Sequence, residues 1–385
     1  MKLVFLSNYF NHHQEPVSKA FSDLLGGEYR FIATKPFPKQ RLEIGYQDMN
    51  EKYPWILRAY ESEEEKQRAI KIINEADVVI LGSADNFYIQ ERLKQKKIVF
   101  RYSERIYKDD EKSYKFLIRY FLHKIKFRNY KNQYVLCASA YTPYDFSRSR
   151  AFLNKTYKWG YFPETIKYPS IDELLDKKEE NSILWVGRFL SWKHPEYAVL
   201  LAKRLKDDGY KAKIKILGAG ELEGKLKSDA DKFGVNDYVE FLGSVPSDKV
   251  RSFMEKAQIF LFTSNKHEGW GAVLNEAMNS GCAVVASHAC GSVPYLAVDK
   301  ENALVFQSEN FEDFYNKAKT LLIDQKLRRS IQKEAYLTIQ NEWNAFVAVR
   351  KFVSLYEKIK EGNFDGESTG VCSKAEIIKD DWFRI

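Results

Sequence analysis

The chain contains 385 residues, of which 44% are hydrophobic and 30% are charged, and this composition excludes wholesale disorder. The length exceeds what a single hydrophobic core normally supports, so two domains are expected. The net charge is +8, and the sequence has no run of eighteen or more uncharged apolar residues, which argues against a transmembrane helix. Because the start is too short and too polar for a signal peptide, we expect a cytoplasmic location.

The positive charge is concentrated in the first part of the chain. Residues 1–165 hold 29 Lys and Arg against 20 Asp and Glu, a net of +9, whereas the remainder holds 32 against 33, a net of −1. Such an excess favours an anionic partner such as a phospholipid surface, a polyprenyl-phosphate carrier or nucleic acid. The cysteines lack CxxC or His-paired spacing, so neither a zinc site nor a disulfide framework is predicted.

Short apolar runs alternate with helical stretches along the first part of the chain. The runs predict buried parallel strands at residues 2–7, 29–33, 78–81, 98–100 and 134–138. This βα alternation predicts a Rossmann-like sheet, which we assign to an N-terminal domain at residues 1–165. A stretch with Gly160, Pro163, Pro169 and the charged run DKKEEN follows, and we assign residues 166–181 to a linker.

The same rhythm restarts after the linker. Further strands are predicted at residues 182–187, 213–218, 238–243, 258–264 and 283–287, with amphipathic helices between them. The fold class is therefore α/β, with a second doubly wound domain at residues 182–344. An apolar helix at residues 345–361 follows, and the polar residues 362–385 predict a loosely packed tail.

The most informative segment is residues 263–287, which reads as a strand, a glycine loop, a helix and another strand. Gly269 and Gly271 open the helix and allow close approach to its backbone. The first amides of the helix lack intrahelical partners and, with the helix dipole, form a predicted phosphate site; they belong to Ala272, Val273 and Leu274.

Two glutamates flank this predicted anion site. Glu268 directly precedes the turn, and Glu276 lies on the helix one turn beyond the site. A carboxylate accepts hydrogen bonds from a vicinal diol, so one acid suits a sugar and the other a ribose. The alternative is that Glu268 only complements the helix dipole and that Glu276 is a solvated residue on the helix face.

This segment resembles the Glu, seven residues, Glu signature of the retaining family 4 glycosyltransferases, also called glycosyl transferases group 1. Residues 185–199 (WVGRFLSWKHPEYAV) and 217–226 (LGAGELEGKL) resemble two further loops of that family in the expected order. The resemblance covers roughly residues 182–356. It implies the GT-B architecture, in which two Rossmann-like domains face a cleft and a C-terminal helix crosses back to the first domain.

The resemblance also implies roles for individual residues. Arg188 and Lys193 would grip a donor pyrophosphate, Glu268 would lie beside the donor sugar, and Glu276 would bind the ribose. A guanidinium fork and an ammonium both suit phosphate oxygens, although a surface Arg and Lys after a strand is the alternative. The predicted donor site further includes Gly187, Gly218, Gly220 and Trp270.

The first domain departs from the family pattern, because the stretch SNYFNHHQ replaces a glycine-rich loop after the first strand. His12 or His13 could donate to a phosphate or to the acceptor, or simply start a helix. After a later strand, Arg101, Glu104 and Arg105 are predicted to line the cleft, with an internal salt-bridge cluster as the alternative. Tyr295 stands where the family usually has a glutamate.

Residues 111–131 (EKSYKFLIRYFLHKIKFRNYK) interleave cations with aromatic residues. A basic aromatic helix of this kind can lie on an anionic bilayer, which predicts a peripheral position on the inner face of a membrane. The alternative is a domain helix that buries its aromatics. The sequence has no recognition motif for nucleic acid, so no such partner is predicted.

The resemblance implies a retaining transfer of a sugar from a UDP- or GDP-linked donor to a lipid-linked or polysaccharide acceptor. No cofactor is predicted beyond this co-substrate, and no metal, because the only Asp-x-Asp triplet (Asp229 and Asp231) falls in a helical stretch. Two alternatives are a sugar-nucleotide epimerase of GT-B fold and an inactive sugar-nucleotide-binding protein.

Overall fold

The computed structural model describes residues 1–39, 42, 47–108, 113–127 and 131–383. The chain divides into two compact units. Unit 1 comprises Met1–Pro163 and Asn344–Ile378, and unit 2 comprises Glu164–Trp343 and Lys379–Ile385. Each unit is built around its own parallel sheet.

The sheet of unit 1 has the order β3-β2-β1-β4-β5-β6-β7, and all pairs are parallel. The order reverses between β1 and β4, as in doubly wound sheets. The strands are β1 (Leu3–Ser7), β2 (Tyr29–Ala33), β3 (Ile56–Arg58), β4 (Val78–Leu81), β5 (Val99–Ser103), β6 (Gln133–Cys137) and β7 (Thr156–Lys158).

Helices of unit 1 connect these strands, and one arrives from the end of the chain. They are α1 (Glu15–Leu25), α2 (Glu63–Glu75), α3 (Gln90–Lys94), α4 (Ser113–Lys126), α5 (Thr142–Arg148) and α14 (Ala345–Lys360). Helix α2 begins at a serine N-cap, where the Ser62 hydroxyl accepts a hydrogen bond from the Glu65 amide at 3.0 Å.

Both faces of the unit 1 sheet are buried. Val4 and Leu6 of β1 belong to a buried cluster that includes Ile73 of α2. On the opposite face, the ring of Phe352 in α14 lies 5.5 Å from Phe21 of α1 and 4.9 Å from Phe100 of β5. The predicted return of the C-terminal helix to the first sheet is therefore confirmed.

The sheet of unit 2 has the order β10-β9-β8-β11-β12-β13, again fully parallel. Its order reverses between β8 and β11. The strands are β8 (Ser182–Val186), β9 (Lys213–Leu217), β10 (Val239–Gly243), β11 (Ile259–Phe262), β12 (Ala283–Ser287) and β13 (Leu304–Phe306).

The helices of unit 2 begin inside the stretch that the sequence assigns to a linker. They are α6 (Ile171–Asp176), α7 (Glu196–Asp207), α8 (Glu223–Phe233), α9 (Ser247–Lys256), α10 (Ala272–Asn279), α11 (Val293–Leu296), α12 (Phe311–Ile323) and α13 (Gln325–Asn341). Among the described residues, no helix combines the length and apolarity needed to cross a membrane.

Lys178, from the charged run DKKEEN, is buried in unit 2. Its ammonium donates to the carbonyls of Met254, Glu255, Ala257 and Ser280 at 2.8–3.1 Å. These carbonyls lie at the C-terminal ends of α9 and α10, where unpaired acceptors and the helix dipole favour a cation. Burial lowers the pKa of Lys178 from its ordinary value.

The expectation of a loosely packed C-terminal tail is wrong for the segment around Cys372. Val371 and Cys372 are fully buried, and Lys374 pairs with Tyr157 of β7 through an isolated antiparallel bridge. The Cys372 amide also donates to the Lys158 carbonyl at 2.8 Å. Since β7 is an edge strand, these residues pair with backbone groups that would otherwise lack partners. The polar composition of the tail gives no indication of this pairing.

Candidate functional site

The main candidate site lies at the switch point of the unit 2 sheet, where β8 and β11 are neighbours. The chain leaves β8 into the loop of Gly187–Lys193 and leaves β11 into the loop of Thr263–Gly271. In open α/β sheets, ligands bind outside the carboxyl ends of the strands at such a switch point. The two loops carry most of the residues that the sequence predicts for the donor site.

Lys193 and Glu268 meet across these loops. Lys193 Nζ lies 2.5 Å from Glu268 Oε2, and the two side chains are only 14% and 13% exposed. The Ser264 hydroxyl donates to the same carboxylate oxygen at 3.2 Å. A charge pair so shielded from water interacts more strongly than a surface pair. One predicted cation and one predicted carboxylate thus form a single unit.

Thr263 fixes the backbone that carries Lys193. Its hydroxyl donates to the Lys193 carbonyl at 2.6 Å and accepts from the indole nitrogen of Trp185 at 2.9 Å. Trp185 is a buried residue of β8, so this chain of bonds ties the end of β11 to the loop after β8. Sequence reasoning did not identify Thr263 as a positioning residue, because its position at a strand end was the only signal.

The start of α10 supplies backbone donors, but fewer than predicted. Gly271 occupies the N-cap with φ 82°, a left-handed conformation that favours glycine. The Leu274 amide already donates to the Gly271 carbonyl at 2.9 Å, so its prediction as an unsatisfied donor is wrong. Within the described chain, the amides of Ala272 and Val273 have no such backbone partner.

Glu276 is a partly buried carboxylate on α10. Burial raises its pKa above the ordinary value, and the nearby Arg251 guanidinium partly offsets this effect. Arg251 itself donates to Asn279 Oδ1 at 2.8 Å. The described residues place no hydrogen-bond donor on the Glu276 carboxylate, which leaves it open to a ligand hydroxyl.

Arg188 is exposed near the start of the loop after β8, and its guanidinium has no hydrogen bond or ion pair with any residue that the structure describes. The guanidinium therefore remains available for an anion.

The glycines of the neighbouring loop have a packing role, and their role in donor binding stays a prediction. A Cβ on Gly218, at φ 145°, would lie 1.8 Å from the carbonyl oxygen of Gly187, and one on Gly220 would lie 2.8 Å from the Phe189 backbone. The Phe189 amide donates to the Ala219 carbonyl at 2.9 Å. These glycines let the loops after β8 and β9 pack directly on each other.

The side chain of Trp270 does not reach the site surface, which corrects its prediction as a ligand-binding residue. It is 1% exposed, and its indole nitrogen donates to Asn275 Oδ1 at 2.9 Å. Its ring packs 6.0 Å from that of Trp343. Trp270 supports the loop from beneath.

Unit 1 contains a separate polar cavity of about 490 Å³ at its own switch point, beyond the ends of β1, β4 and β5. Of the two predicted histidines, His13 lines this cavity. The ring of His12 packs on the ring of His13, with centroids 3.9 Å apart. The His13 ring stacks on Tyr161 at 5.5 Å. Glu104 accepts from the Tyr161 hydroxyl at 2.5 Å and pairs with Lys108 at 3.2 Å.

The two predicted arginines of unit 1 lie in different surroundings. Arg105 lines the unit 1 cavity and also lies 3.8 Å from the buried carboxylate of Asp145, as the alternative of an internal salt bridge predicts, while its place in a cleft stays a prediction. Arg101 is directed elsewhere, donating to Gln133 at 2.7 Å and to Asn86 at 2.9 Å, and its prediction as a cleft residue is wrong. Burial lowers the pKa of Arg101 to about 10. Sequence reasoning missed Tyr161.

The described residues contain no group of three or more His, Cys, Asp or Glu side chains that could hold a metal ion. Asp229 and Asp231 lie within α8, where Asp231 accepts a hydrogen bond from Asn236 at 2.8 Å.

Comparison with known proteins shows what the chain resembles. Residues 169–338 match the family model "Glycosyl transferases group 1". The chain is 29% identical over 172 residues to a Campylobacter jejuni protein, N-acetylgalactosamine-N,N'-diacetylbacillosaminyl-diphospho-undecaprenol 4-alpha-N-acetylgalactosaminyltransferase; the match covers 45% of each chain. The chain spans about half or less of the length of the first curated relatives that it matches.

Two solved structures share the fold over nearly the whole chain. The crystal structure of Anabaena HepE in complex with UDP matches with a TM-score of 0.63 at 14% identity, covering 94% of this chain and 99% of that one. Sucrose-phosphate synthase from Thermosynechococcus elongatus matches with a TM-score of 0.64 at 15% identity, covering 94% and 100%. Residues 169–338 are thus a domain of the glycosyl transferases group 1 family, in a chain with the GT-B fold.

Proposed function

We propose that this protein is a retaining glycosyltransferase that moves a sugar from a UDP- or GDP-linked donor to a hydroxyl of a lipid-linked or polysaccharide acceptor. The family of residues 169–338 supports the transferase class. The donor class is supported by HepE, whose crystal structures include complexes with UDP and with UDP-glucose. The acceptor class is supported by the Campylobacter jejuni relative, whose name specifies a diphospho-undecaprenol acceptor.

The observation that carries the proposal is the set of unmatched polar groups in the loop after β8 and in the first turns of α10, at the switch point of the unit 2 sheet. Arg188 and the first amides of α10 offer donors without partners in the described chain, and Glu276 offers an acceptor. A nucleoside diphosphate carries the complementary groups, because its phosphates accept hydrogen bonds and its ribose hydroxyls donate them.

In this proposal the diphosphate leaving group is stabilised by charge and by oriented dipoles. Negative charge develops on the diphosphate as the sugar leaves, and preorganised donors at that position lower the barrier. Lys193 can contribute because its ammonium has three donors, and the bond to Glu268 at 2.5 Å uses only one. Arg188 adds a second cation, so we propose that the reaction needs no divalent metal.

We assign the two carboxylates to the two ends of the donor. Glu276 would accept from the ribose hydroxyls, which would replace the water that burial removes from its carboxylate. Glu268 would face the transferred sugar while holding Lys193 in place. The polar cavity of unit 1, with His13, Glu104 and Arg105, is the corresponding proposal for the acceptor.

The proposal is tested by incubating the protein with a panel of nucleoside diphosphate sugars and following its melting temperature. A preferred donor raises the melting temperature by mass action, by an amount set by its concentration relative to Kd. The matched control is the Glu276→Gln variant, which keeps the size of the side chain but removes the charge. We expect the same fold with a much smaller shift.

Product analysis with the preferred donor then separates the alternatives. A transferase consumes the donor productively only with an acceptor and retains the anomeric configuration. An epimerase converts the donor alone, and an inactive binding protein gives a thermal shift with no product. Transfer that persists with a strong chelator present would support metal independence, and abolished transfer would contradict it.

A further inference from the structure

Helix α4 turns a set of large apolar side chains toward solvent. At 100° per residue these positions cover about 140° of the helix circumference, so they form one continuous face. The members are 57–72% exposed, and we call them the α4 apolar face: Leu117, Ile118, Phe121, Leu122 and Ile125.

The opposite side of α4 attaches the helix to unit 1. The His123 ring packs 6.0 Å from Tyr107 and 5.5 Å from Phe127. Phe127 follows the helix, is buried, and packs 5.0 Å from Phe152. A surface helix normally directs its apolar stripe inward, so the outward α4 apolar face is not explained by the folding of unit 1.

The charges on α4 itself have a single sign, although Asp109, Asp110 and Glu111 precede the helix in the sequence. The helix sequence SYKFLIRYFLHKIK carries four Lys or Arg residues and no Asp or Glu. Helix α4 connects the carboxyl end of β5 to the amino end of β6, so its C-terminal end lies at the amino edge of the sheet. At that edge a cavity of about 290 Å³ is lined by Lys94, Lys96, Lys97 and Lys131, together with Asn132 and Gln133 at the start of β6.

We propose that the α4 apolar face docks on the surface of an anionic phospholipid bilayer, with the helix lying in the interface plane. An apolar side and a polar side whose charged residues within the helix are all Lys or Arg are the features that hold interfacial helices at such membranes. A second copy of this chain is a poorer occupant, because the contact would bring together two helices that both carry only positive charge.

The sequence suggested membrane contact through interleaved aromatic residues, but the exposed face is mainly aliphatic. Phe127, one of those aromatic residues, is buried, so it attaches the helix to unit 1 and does not contact the bilayer. The docking does not depend on the proposed activity, and it would hold the acceptor cavity of unit 1 near a membrane surface.

Co-sedimentation of the full chain with two kinds of vesicle tests the proposal. One kind contains phosphatidylcholine alone, and the other contains one part phosphatidylglycerol to two parts phosphatidylcholine. The test variant is Leu117→Gln/Phe121→Gln/Ile125→Gln, because glutamine keeps the helix but removes the apolar face. The matched control replaces three exposed apolar residues elsewhere: Leu153→Gln/Val298→Gln/Ile323→Gln.

We expect the wild type to prefer the anionic vesicles. The test variant should partition on the order of a hundredfold more weakly, because partial burial of each of the three side chains in the interface contributes roughly fivefold to binding. The control should bind like the wild type. Lys124→Glu should weaken binding to anionic vesicles by about fivefold or more and change binding to neutral vesicles little.

Other outcomes would overturn the proposal. Equal binding of the wild type and the test variant would exclude the α4 apolar face as the contact. Absence of vesicle binding, with a dimer in light scattering that the test variant dissociates, would assign the face to a second copy instead. Unchanged circular dichroism and melting temperature of the test variant would confirm that any loss of binding is not unfolding.

Discussion

Replacing Lys193 with methionine should separate the contribution of the Lys193–Glu268 pair to stability from the contribution of Lys193 to catalysis. The change keeps the alkyl stem but removes the ammonium that lies 2.5 Å from the carboxylate, which leaves Glu268 with the Ser264 hydroxyl as its remaining donor. Breaking a fully buried pair costs about 3–5 kcal/mol. Since these side chains are 14% and 13% exposed, we expect a loss of about 2–3 kcal/mol.

Lys193→Met should also lower turnover, by an amount that the loss of stability alone does not explain. Under the proposed mechanism the ammonium stabilises charge on the departing diphosphate, and removing one such donor costs about 10²–10³ in kcat. The double variant Lys193→Met/Glu268→Gln should regain most of the stability, because no carboxylate is then left unpaired, but none of the turnover. Urea unfolding monitored by circular dichroism and a radiolabelled transfer assay measure the two quantities.

A second ion pair of unit 2 provides the control. Lys215 Nζ lies 2.6 Å from Glu179, with side chains that are 22% and 39% exposed. Lys215→Met should cost at most about 1 kcal/mol and leave turnover unchanged. If Lys193→Met behaves like this control, or if the double variant recovers turnover, the assignment of Lys193 to the leaving group is refuted.

Three further changes test the site and its support. Gly218→Ala should destabilise the protein by on the order of 2–4 kcal/mol in urea unfolding, because its Cβ would lie 1.8 Å from the Gly187 carbonyl oxygen. The control is Gly209→Ala, which has φ 79° but nothing within 4 Å of an added Cβ, and it should cost only about 1–2 kcal/mol. Equal losses in the two variants would contradict the packing role of Gly218. Lys178→Met should cost about 3 kcal/mol or more in urea unfolding, since four carbonyls lose a charged donor, with little change in the Kd for UDP. A loss below about 1 kcal/mol, which is the range of a surface change, would show that the four hydrogen bonds of Lys178 do not stabilise unit 2. Because the pKa of Glu276 is raised, its carboxylate gains a proton at a higher pH than an ordinary glutamate does, and calorimetry should show the affinity for UDP falling as pH drops through that raised pKa. Glu276→Gln should remove this part of the pH dependence. If the pH profile of the variant equals that of the wild type, Glu276 does not contact the ribose.

The sequence predicts long strands well and short edge strands poorly. Ten strands were predicted from apolar runs, and each is present with its ends within three residues of the expected positions. The three that were missed are β3, β7 and β13, each of three residues, and each at an edge of its sheet. A strand of three residues is too short to give an apolar run that stands out from its surroundings, even where it is fully buried, as β13 is.

Sequence places residues after strands, but it does not fix which face they take. Arg101 and Phe100 are neighbours on β5, and alternation directs Phe100 toward Phe352 and Arg101 toward the ring of Phe127. Because both faces of a buried parallel strand are apolar, no alternating pattern shows which residue points where. The prediction that Arg101 lines the cleft was wrong for this reason.

Pairings between distant loops were also beyond the sequence. Lys193 and Glu268 were each predicted for the donor site, but their contact depends on β8 lying beside β11, an order that apolar runs do not specify. Lys178 shows the opposite error, because a charged run was interpreted as an exposed junction. The helix ends that bind its ammonium come from residues at least 76 positions away.

The chemistry of the unit 2 site favours a ligand with two kinds of polar group over a simple anion. Lys193 is partly neutralised by Glu268, so most of the unmatched positive character comes from Arg188 and the first amides of α10. Glu276 lies four residues after Ala272, about 6 Å further along the helix axis, and is an unmatched acceptor. Inorganic pyrophosphate would satisfy only the donors and would meet Glu276 as a like charge. A nucleoside diphosphate would satisfy both, because its hydroxyls reach the carboxylate while its phosphates reach the helix start, so the site should select UDP or GDP over pyrophosphate.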